Sequence, residues 1–436
     1  LIWPFVIWKK RLVRRSAAAV LSGSGANVVE GTGFQDFQTT RKHQKKSGRR
    51  HAMKKQYLVA ACAFASLAGT AHAQSSMTLY GVIDAGINYI SNDAGKSNVT
   101  MTSGVVQGNR FGLKGVEDLG GGWTASFVLE NGFLAQSGAL GQGGRLFGRQ
   151  AWVAINSASA GTLSFGRQYD LSLMFVQPLT HNLYDGLAHP FDNDNLIASY
   201  RINNSVRYMS PVFHGFQAGA LYGFSNSANT GTNSGFGNNR VWSVGATYSA
   251  AGLTLASGWL HLNWPNSNTA GAVSGDYNNI STTSALGTLG LTGAVQREDV
   301  FSAGAGYNLG ALTGDLVYSH SSYHSTTDHL SFDNYEANAI YFVRSDLSLT
   351  GVYTFTDGKL ASSGKSPRYH EVEFMADYLV SKRTDIYAMA AYQRAVGDAT
   401  IASIAPDTFG AGGSFAPDAS NSMNQTLVRI GMRHKF

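Results

Sequence analysis

From Gln74 onward, apolar and polar side chains alternate along the chain with a period of two. In Leu347–Phe355, Leu347, Leu349, Gly351, Tyr353 and Phe355 share one parity, and Ser348, Thr350, Val352 and Thr354 take the other. In Glu371–Tyr378, Val372, Phe374, Ala376 and Tyr378 oppose Glu371, Glu373 and Asp377. Successive side chains of a strand point to opposite faces, so each segment predicts a strand apolar on one side and polar on the other. A soluble sandwich satisfies that pattern as well as a barrel does. The connections separate the two. Short turns fall at Glu117–Gly122, Asn156–Gly161, Ser210–Gly215, Ser249–Gly252, Asn308–Ala311, Arg344–Asp346 and Val380–Thr384. Between them lie longer stretches rich in Ser, Asn, Gly and Thr, near 91–104, 131–144, 168–202, 226–239, 264–297, 322–333, 357–368 and 395–424. Seven short turns interleaved with eight long loops give sixteen strands, with both ends of the barrel chain on the short-turn side. The prediction is all-β: a 16-stranded antiparallel transmembrane β-barrel with short periplasmic turns and long extracellular loops.

Aromatic residues near strand ends (Tyr89, Tyr222, Phe224, Tyr307, Tyr353, Phe355, Tyr392) fit interfacial girdles. The last strand, Gln425–Phe436, carries Val428, Ile430, Met432, His434 and Phe436 on one parity.

Ahead of this pattern the chain changes character. Met53-Lys54-Lys55, the small-residue apolar core Tyr57–Gly69 and the A-x-A site Ala71-His72-Ala73 predict a signal peptide over 53–73, cut after Ala73. The core is too short for a spanning helix of ~20 apolar residues. Residues 1–52 begin at Leu1 and include the basic run Arg41–Arg50; they are expected to be an upstream non-native extension before a true start at Met53. The formal charge of +6 is concentrated there, with 13 Lys and Arg before Gln74 against only Glu30 and Asp36. Residues 74–436 then hold 20 basic groups (33 less 13) and 25 acidic ones (27 less 2), a net of −5. Nucleic acid is therefore not an expected partner. The single cysteine, Cys62, lies in the leader, so structural disulfides and thiol catalysis are excluded from the rest. Without a long apolar run past the leader, a membrane-embedded chain must cross as a barrel.

Seven segments then stand out in order: SSMTLYGVIDAGINY (Ser75–Tyr89), NRFGLKGVEDLGGGWTASFVLENGF (Asn109–Phe133), LFGRQAWVAI (Leu146–Ile155), GTLSFGRQYD (Gly161–Asp170), NNSVRYMSPVFHGF (Asn203–Phe216), YHEVEFMADYLVSKRTDIYAMAAYQ (Tyr369–Gln393) and VRIGMRHKF (Val428–Phe436). Together they strongly resemble the Gram-negative general porins of beta-proteobacteria, the Burkholderia and Neisseria type. The match covers essentially all of residues 74–436, diverging mainly in the outer loops. The resemblance implies a homotrimer in the bacterial outer membrane, in contact with lipid and lipopolysaccharide. It further implies passive diffusion of ions and small hydrophilic solutes through a pore narrowed by an inward-folded third outer loop.

A barrel of this size holds a water-filled lumen, so selectivity requires a narrowing with a local field. Arg110, Arg149 and Arg207 each follow a long outer loop by about four to six residues, a similar depth at ~3.3 Å per residue. Phe111 and Leu113 flank Arg110 on the lipid parity, and Val206 and Tyr208 flank Arg207, so these two arginines point to the lumen; Phe147, however, shares the parity of Arg149. The predicted basic wall coincides with the arginine cluster of the family. The inward loop is expected at Asp170–Ile202, offering Asp170, Asp185, Asp192 and Asp194 to face the arginines across the pore. For each aspartate the alternative is a turn cap, as within FDNDN; for the arginines it is a lumen salt bridge without a role in permeation. Arg167 shares parity with Leu163 and Phe165 and needs a bulge to reach the pore. Glu371, Glu373 and Asp377 form a second lumen stripe, and Arg429 and Arg433 line the lumen parity of the last strand. Charge at the constriction outweighs charge screened beyond ~8 Å, so weak anion selectivity is expected.

Other signals carry less. His320, His324 and His329 read as solvated histidines rather than metal ligands. The glycines of GVEDLGGG form a turn with no helix behind it to bind phosphate, and no nucleophile elbow occurs. No catalytic residue, metal or cofactor is expected. The rival readings are a substrate-specific channel, an outer-membrane barrel enzyme and a surface adhesin. The first would want an aromatic slide, but the lumen parity is mostly Ser, Thr, Gly and Asn.

Overall fold

The computed structural model describes residues 75–180, 186–228, 235–275, 277, 287, 289–404 and 420–436. The predicted extension and leader, and Asp185, lie outside the described residues.

The strands run β1 (Ser76–Asp93), β2 (Lys96–Ser103), β3 (Arg110–Gly120), β4 (Trp123–Gly132), β5 (Gln150–Ser157) and β6 (Gly161–Gln168). They continue as β7 (Ile202–Met209), β8 (Phe216–Gly223), β9 (Arg240–Ala250), β10 (Leu253–Asn263), β11 (Val295–Asn308) and β12 (Leu312–Ser325). Last come β13 (His329–Arg344), β14 (Leu347–Leu360), β15 (Pro367–Leu379), β16 (Thr384–Gly397) and β17 (Asn424–Lys435). Neighbours pair antiparallel, and β17 closes on β1 with Ala85 opposite Met432. The two halves of β1 pair with β2 (Ala85–Asp93) and β3 (Ser76–Val82). Hence β2 and β3 lie end to end as one stave, and the seventeen segments make sixteen staves around a closed wall. At the seam, Gly81 and Phe436 exchange backbone hydrogen bonds of 3.1 Å, and the Phe436 ring occupies the space a Gly81 side chain would need.

All seven predicted short turns separate consecutive strands. Three of the polar stretches differ from expectation. Near 322–333, β12 and β13 run on until only 326–328 join them, with His324 opposite His329. Near 91–104, β1 and β2 meet across Ala94-Gly95, both at positive φ (50° and 96°). Near 357–368, β14 reaches Leu360 and β15 starts at Pro367. In each case ladder hydrogen bonding outlasts the apolar face. Along β12 the inward parity is Ser319, Ser321, Tyr323 and Ser325, all buried, while His320 and His324 point outward.

The outer face is apolar and open: Phe374 and Ile430 remain 65% and 64% exposed. An exposed apolar belt of that extent marks a membrane-facing surface.

Candidate functional site

The chain leaves β6 at Gln168, enters the barrel and returns at Ile202. Apart from Met174 and Pro178, each described residue from Asp170 to Ile202 is buried. It opens with α1 (Leu171–Phe175), where the Asp170 carboxylate caps the helix by accepting the Leu173 N–H at 3.1 Å. Glycines on the lumen parity of four neighbouring staves make room for this segment. A Cβ on Gly258 of β10 would lie 2.5 Å from Ser172 Cα, and one on Gly245 of β9 would lie 2.8 Å from Phe175 Cδ2. On Gly219 of β8 it would lie 2.8 Å from Leu171 Cδ1, and on Gly304 of β11 2.9 Å from Leu179 Cδ1. Leu171, Phe175, Val176 and Leu179 share a buried cluster with wall residues Val241, Ala256, Leu260, Val300 and Val317. Burying an aliphatic or aromatic side chain stabilises by about 1.5–3 kcal/mol, so this end is held by apolar contact and shape.

The far end is held differently. His189 places Nδ1 2.6 Å from Asp194 and Nε2 3.0 Å from Glu336 on β13. Burial works against the charged imidazole, but Asp194 first and then Glu336 outweigh it, and the His189 pKa is raised well above its ordinary value. Burial likewise opposes the Asp194 carboxylate, yet His189 and Ser319 hold its pKa below the usual range. Asn193 accepts from Ser321 Oγ (2.7 Å) and Asn334 Nδ2 (2.8 Å), and its carbonyl accepts from the Tyr323 hydroxyl. Asn338 of β13 donates to the Leu179 carbonyl at 2.9 Å. The loop thus lies inside the barrel along one stretch of wall, against an apolar groove on β8–β11 and a polar clamp on β12 and β13.

This arrangement revises the expected acidic face. Asp170, Asp192 and Asp194 are 2%, 0% and 1% exposed, and each carboxylate is engaged within the loop or with the wall. Asp192 accepts the N–H groups of Ile197 (3.2 Å) and Ser199 (3.1 Å), the turn-capping alternative. Burial, aided by the neighbouring Asp194 charge, pushes its pKa up to about 7, and burial pushes Asp170 up to about 6.

The basic residues gather on the opposite side. Arg110 (β3) donates to the Gly108 carbonyl at 3.3 Å. Arg149 lies just ahead of β5, outside its alternation, and so escapes the parity set by Phe147; its Nε meets Glu130 of β4 at 3.0 Å, both buried. Arg207 (β7) donates to the Tyr169 carbonyl at 3.2 Å. The bulge that Arg167 requires is present: pairing with β7 shifts between Gly166 and Gln168, and Arg167 Nε donates to the Gly148 carbonyl at 2.8 Å. Two cations escaped the sequence reading. Lys114 lies over the Tyr80 ring at 5.3 Å, and Arg201, 2% exposed, lies 5.5 Å from the Tyr169 ring with Nε and Nη1 unmatched by a hydrogen-bond partner. Arg201 is in the loop, where alternation gives no guide to direction.

On the far wall, Glu371 accepts from Gln393 at 2.7 Å, and Glu373 is buried on the same face of β15. Arg433 bridges Asp377 (3.0 Å) and Asp385 (3.1 Å), and Arg429 meets Asp84 at 3.3 Å. The histidines of β12 and β13 face outward, with His320 on Asp333 at 2.9 Å and His324 stacked on His329 at 4.1 Å.

The chain matches the family model described as Gram-negative porin over residues 58–398. The chain belongs to the Gram-negative porin family. An outer membrane porin protein of Bordetella pertussis is 29% identical over 419 residues, spanning 88% of this chain and all of the relative. Among solved structures, an anion-selective porin from Comamonas acidovorans superposes with a TM-score of 0.65 at 22% identity, over 83% of this chain and 100% of that one. OmpT of Vibrio cholerae in its trimer form superposes with a TM-score of 0.59 at 13% identity, over 83% and 99%. These last two are likenesses of fold. The porin resides in the outer membrane and conducts ions and small hydrophilic solutes by passive diffusion through its barrel.

Proposed function

We propose that this porin favours anions at its narrowest section. The observation that carries the reading is the run of cations Arg110, Lys114, Arg149, Arg167, Arg201 and Arg207 along β3–β7 and the loop end, with Glu130 as the carboxylate bound among them. Asp170, Asp192 and Asp194, which would oppose that field, are enclosed and engaged. A ring of fixed charge at close quarters governs ion preference more than distant, screened charge does. The fold shared with an anion-selective porin supports the same reading.

The test is the reversal potential of the protein, purified from outer membranes, in a planar bilayer under a KCl gradient. An anion-selective potential is expected, and replacing Arg110, Arg149 and Arg207 together by Gln should move it towards cations. A cation-selective potential in the unaltered protein would overturn the proposal and hand control to the β15 carboxylates. The same reading includes a homotrimer, export with removal of a leader after Ala73, residues 1–52 standing outside the exported protein, and a lipid- and lipopolysaccharide-facing outer belt.

A further inference from the structure

Between β2 and β3 the stave is interrupted by residues 104–109, a segment the alternation does not reveal. On β1, Val82 pairs with Arg110 and Ala85 with Ser103, so Ile83 and Asp84 stand opposite six residues. The surplus leaves the wall on the lumen side. Val105 and Val106 are each 1% exposed and cluster with Leu187 of the inward loop and with Met375, Met389 and Ile404. Gly186 of the loop rests on this segment: a Cβ there would lie 2.6 Å from Val106 Cα and collide with the Val105 carbonyl.

What holds the segment inward is a buried ion pair. Asp84 Oδ2 accepts the N–H of Val106 at 2.8 Å and of Gln107 at 3.1 Å. Its Oδ1 accepts from Arg429 Nη2 at 3.3 Å and from the Tyr387 hydroxyl. Arg429 also donates to Tyr387 (2.7 Å), Asn88 (2.7 Å) and the Thr102 hydroxyl (2.8 Å), and both members of the pair are 0% exposed. Asn109 fixes the other end, accepting the Asp84 N–H at 2.7 Å and donating to Ser103 Oγ at 2.7 Å. A charged pair fully withdrawn from water stands only when its remaining valences are satisfied; here two of them are satisfied by the backbone of the inserted segment.

We propose that residues 104–109 form a second lip of the constriction, facing the third loop at Gly186 and Leu187, and that Asp84 and Arg429 are the positioning residues that hold it in the lumen. The aperture is then set by two segments from different parts of the wall. The charges act on the pore through the backbone they hold.

The test uses Asp84→Asn in the full protein purified from outer membranes, with two readouts: single-channel conductance in bilayers, and the size limit for neutral sugars in liposome swelling. Neutral sugars report aperture independently of ion preference. Conductance should rise roughly twofold as the lip retracts, with larger sugars admitted and the heat-resistant gel band of the folded barrel retained. Adding Val106→Cys and Leu187→Cys, which oxidise to a cross-link between the lips, should cancel the widening, and a reductant should restore it. Should Asp84→Asn not fold, Val105→Ser with Val106→Ser loosens the apolar contact while leaving the ion pair in place, and the same widening is expected. Unchanged conductance and sugar limit in a folded variant, or widening that the cross-link leaves intact, would overturn the proposal.

Discussion

The two ends of the inward loop dock on the same wall by opposite physics. Residues Leu171–Leu179 lie in a channel of glycines, where the backbone of β8–β11 comes close because side chains are missing. Residues His189–Asn195 are gripped by side chains that reach out from β12 and β13, with one imidazole shared between two carboxylates. Apolar contact tolerates small shifts and is blind to pH. A buried, charge-assisted network fixes position sharply, but its strength depends on who holds the protons. The loop therefore has one end anchored by shape and one whose order is set by protonation.

Removing the imidazole should separate the two ends most strongly. His189→Ala leaves Asp194 and Glu336 buried and facing each other without their shared cation, a loss of about 3–5 kcal/mol for breaking a buried pair. The thermal midpoint of the detergent-solubilised barrel should fall clearly at pH 7; a midpoint within error of the unaltered protein would remove the clamp from the account. At the groove end, Gly258→Ala inserts a methyl against the backbone of Ser172 and should cost about 1–3 kcal/mol through overpacking. That penalty should be the same at pH 8 and pH 9, above the titration of the Asp170 cap near 6, and a marked pH dependence there would erase the contrast between the ends.

The smallest effect belongs to Asp192. Its folded pKa stands at about 7 against an ordinary 3.8, so the buried neutral form is the favoured one. Its contribution to stability is complete at low pH and is lost as pH rises through about 7. Asp192→Asn removes the charge but keeps one acceptor oxygen, so one of the Ile197 and Ser199 N–H groups, which rest on separate carboxylate oxygens, loses its partner at every pH. Its midpoint relative to the unaltered protein should therefore rise by roughly 2 °C between pH 4 and pH 8. A difference that stays constant with pH would mean that Asp192 titrates normally.

Much of the wall was legible because lipid and water impose a period of two on every stave. The seven short turns and the lumen direction of Arg110 and Arg207 follow from that period. What the period cannot report is anything that leaves the wall. Arg149 and Arg201 sit outside strands, and the Asp192 carboxylate is consumed by its own turn. His324 and His329 illustrate the converse error: a polar stretch on both faces looks like a loop, yet the ladder continues between them. Gly219, Gly245, Gly258 and Gly304 were visible as small residues, but nothing local announces that a helix from another part of the chain will lie across them. The insertion at 104–109 was hidden for a similar reason, since Val105 and Val106 read as ordinary apolar residues whichever way they point.

The interrupted stave also separates two dimensions of the tube that are easily conflated. Calibre follows from how many staves close the wall, and changing it means adding or removing a hairpin and re-registering the seam. Aperture follows from what the wall turns inward. Because β2 and β3 pair with the same strand on either side of the break, residues can be added or removed at 104–109 while Val82 stays opposite Arg110 and Ala85 opposite Ser103. Divergence between Gly104 and Asn109 can retune passage through the barrel while the strand pairing on either side of the gap keeps its register.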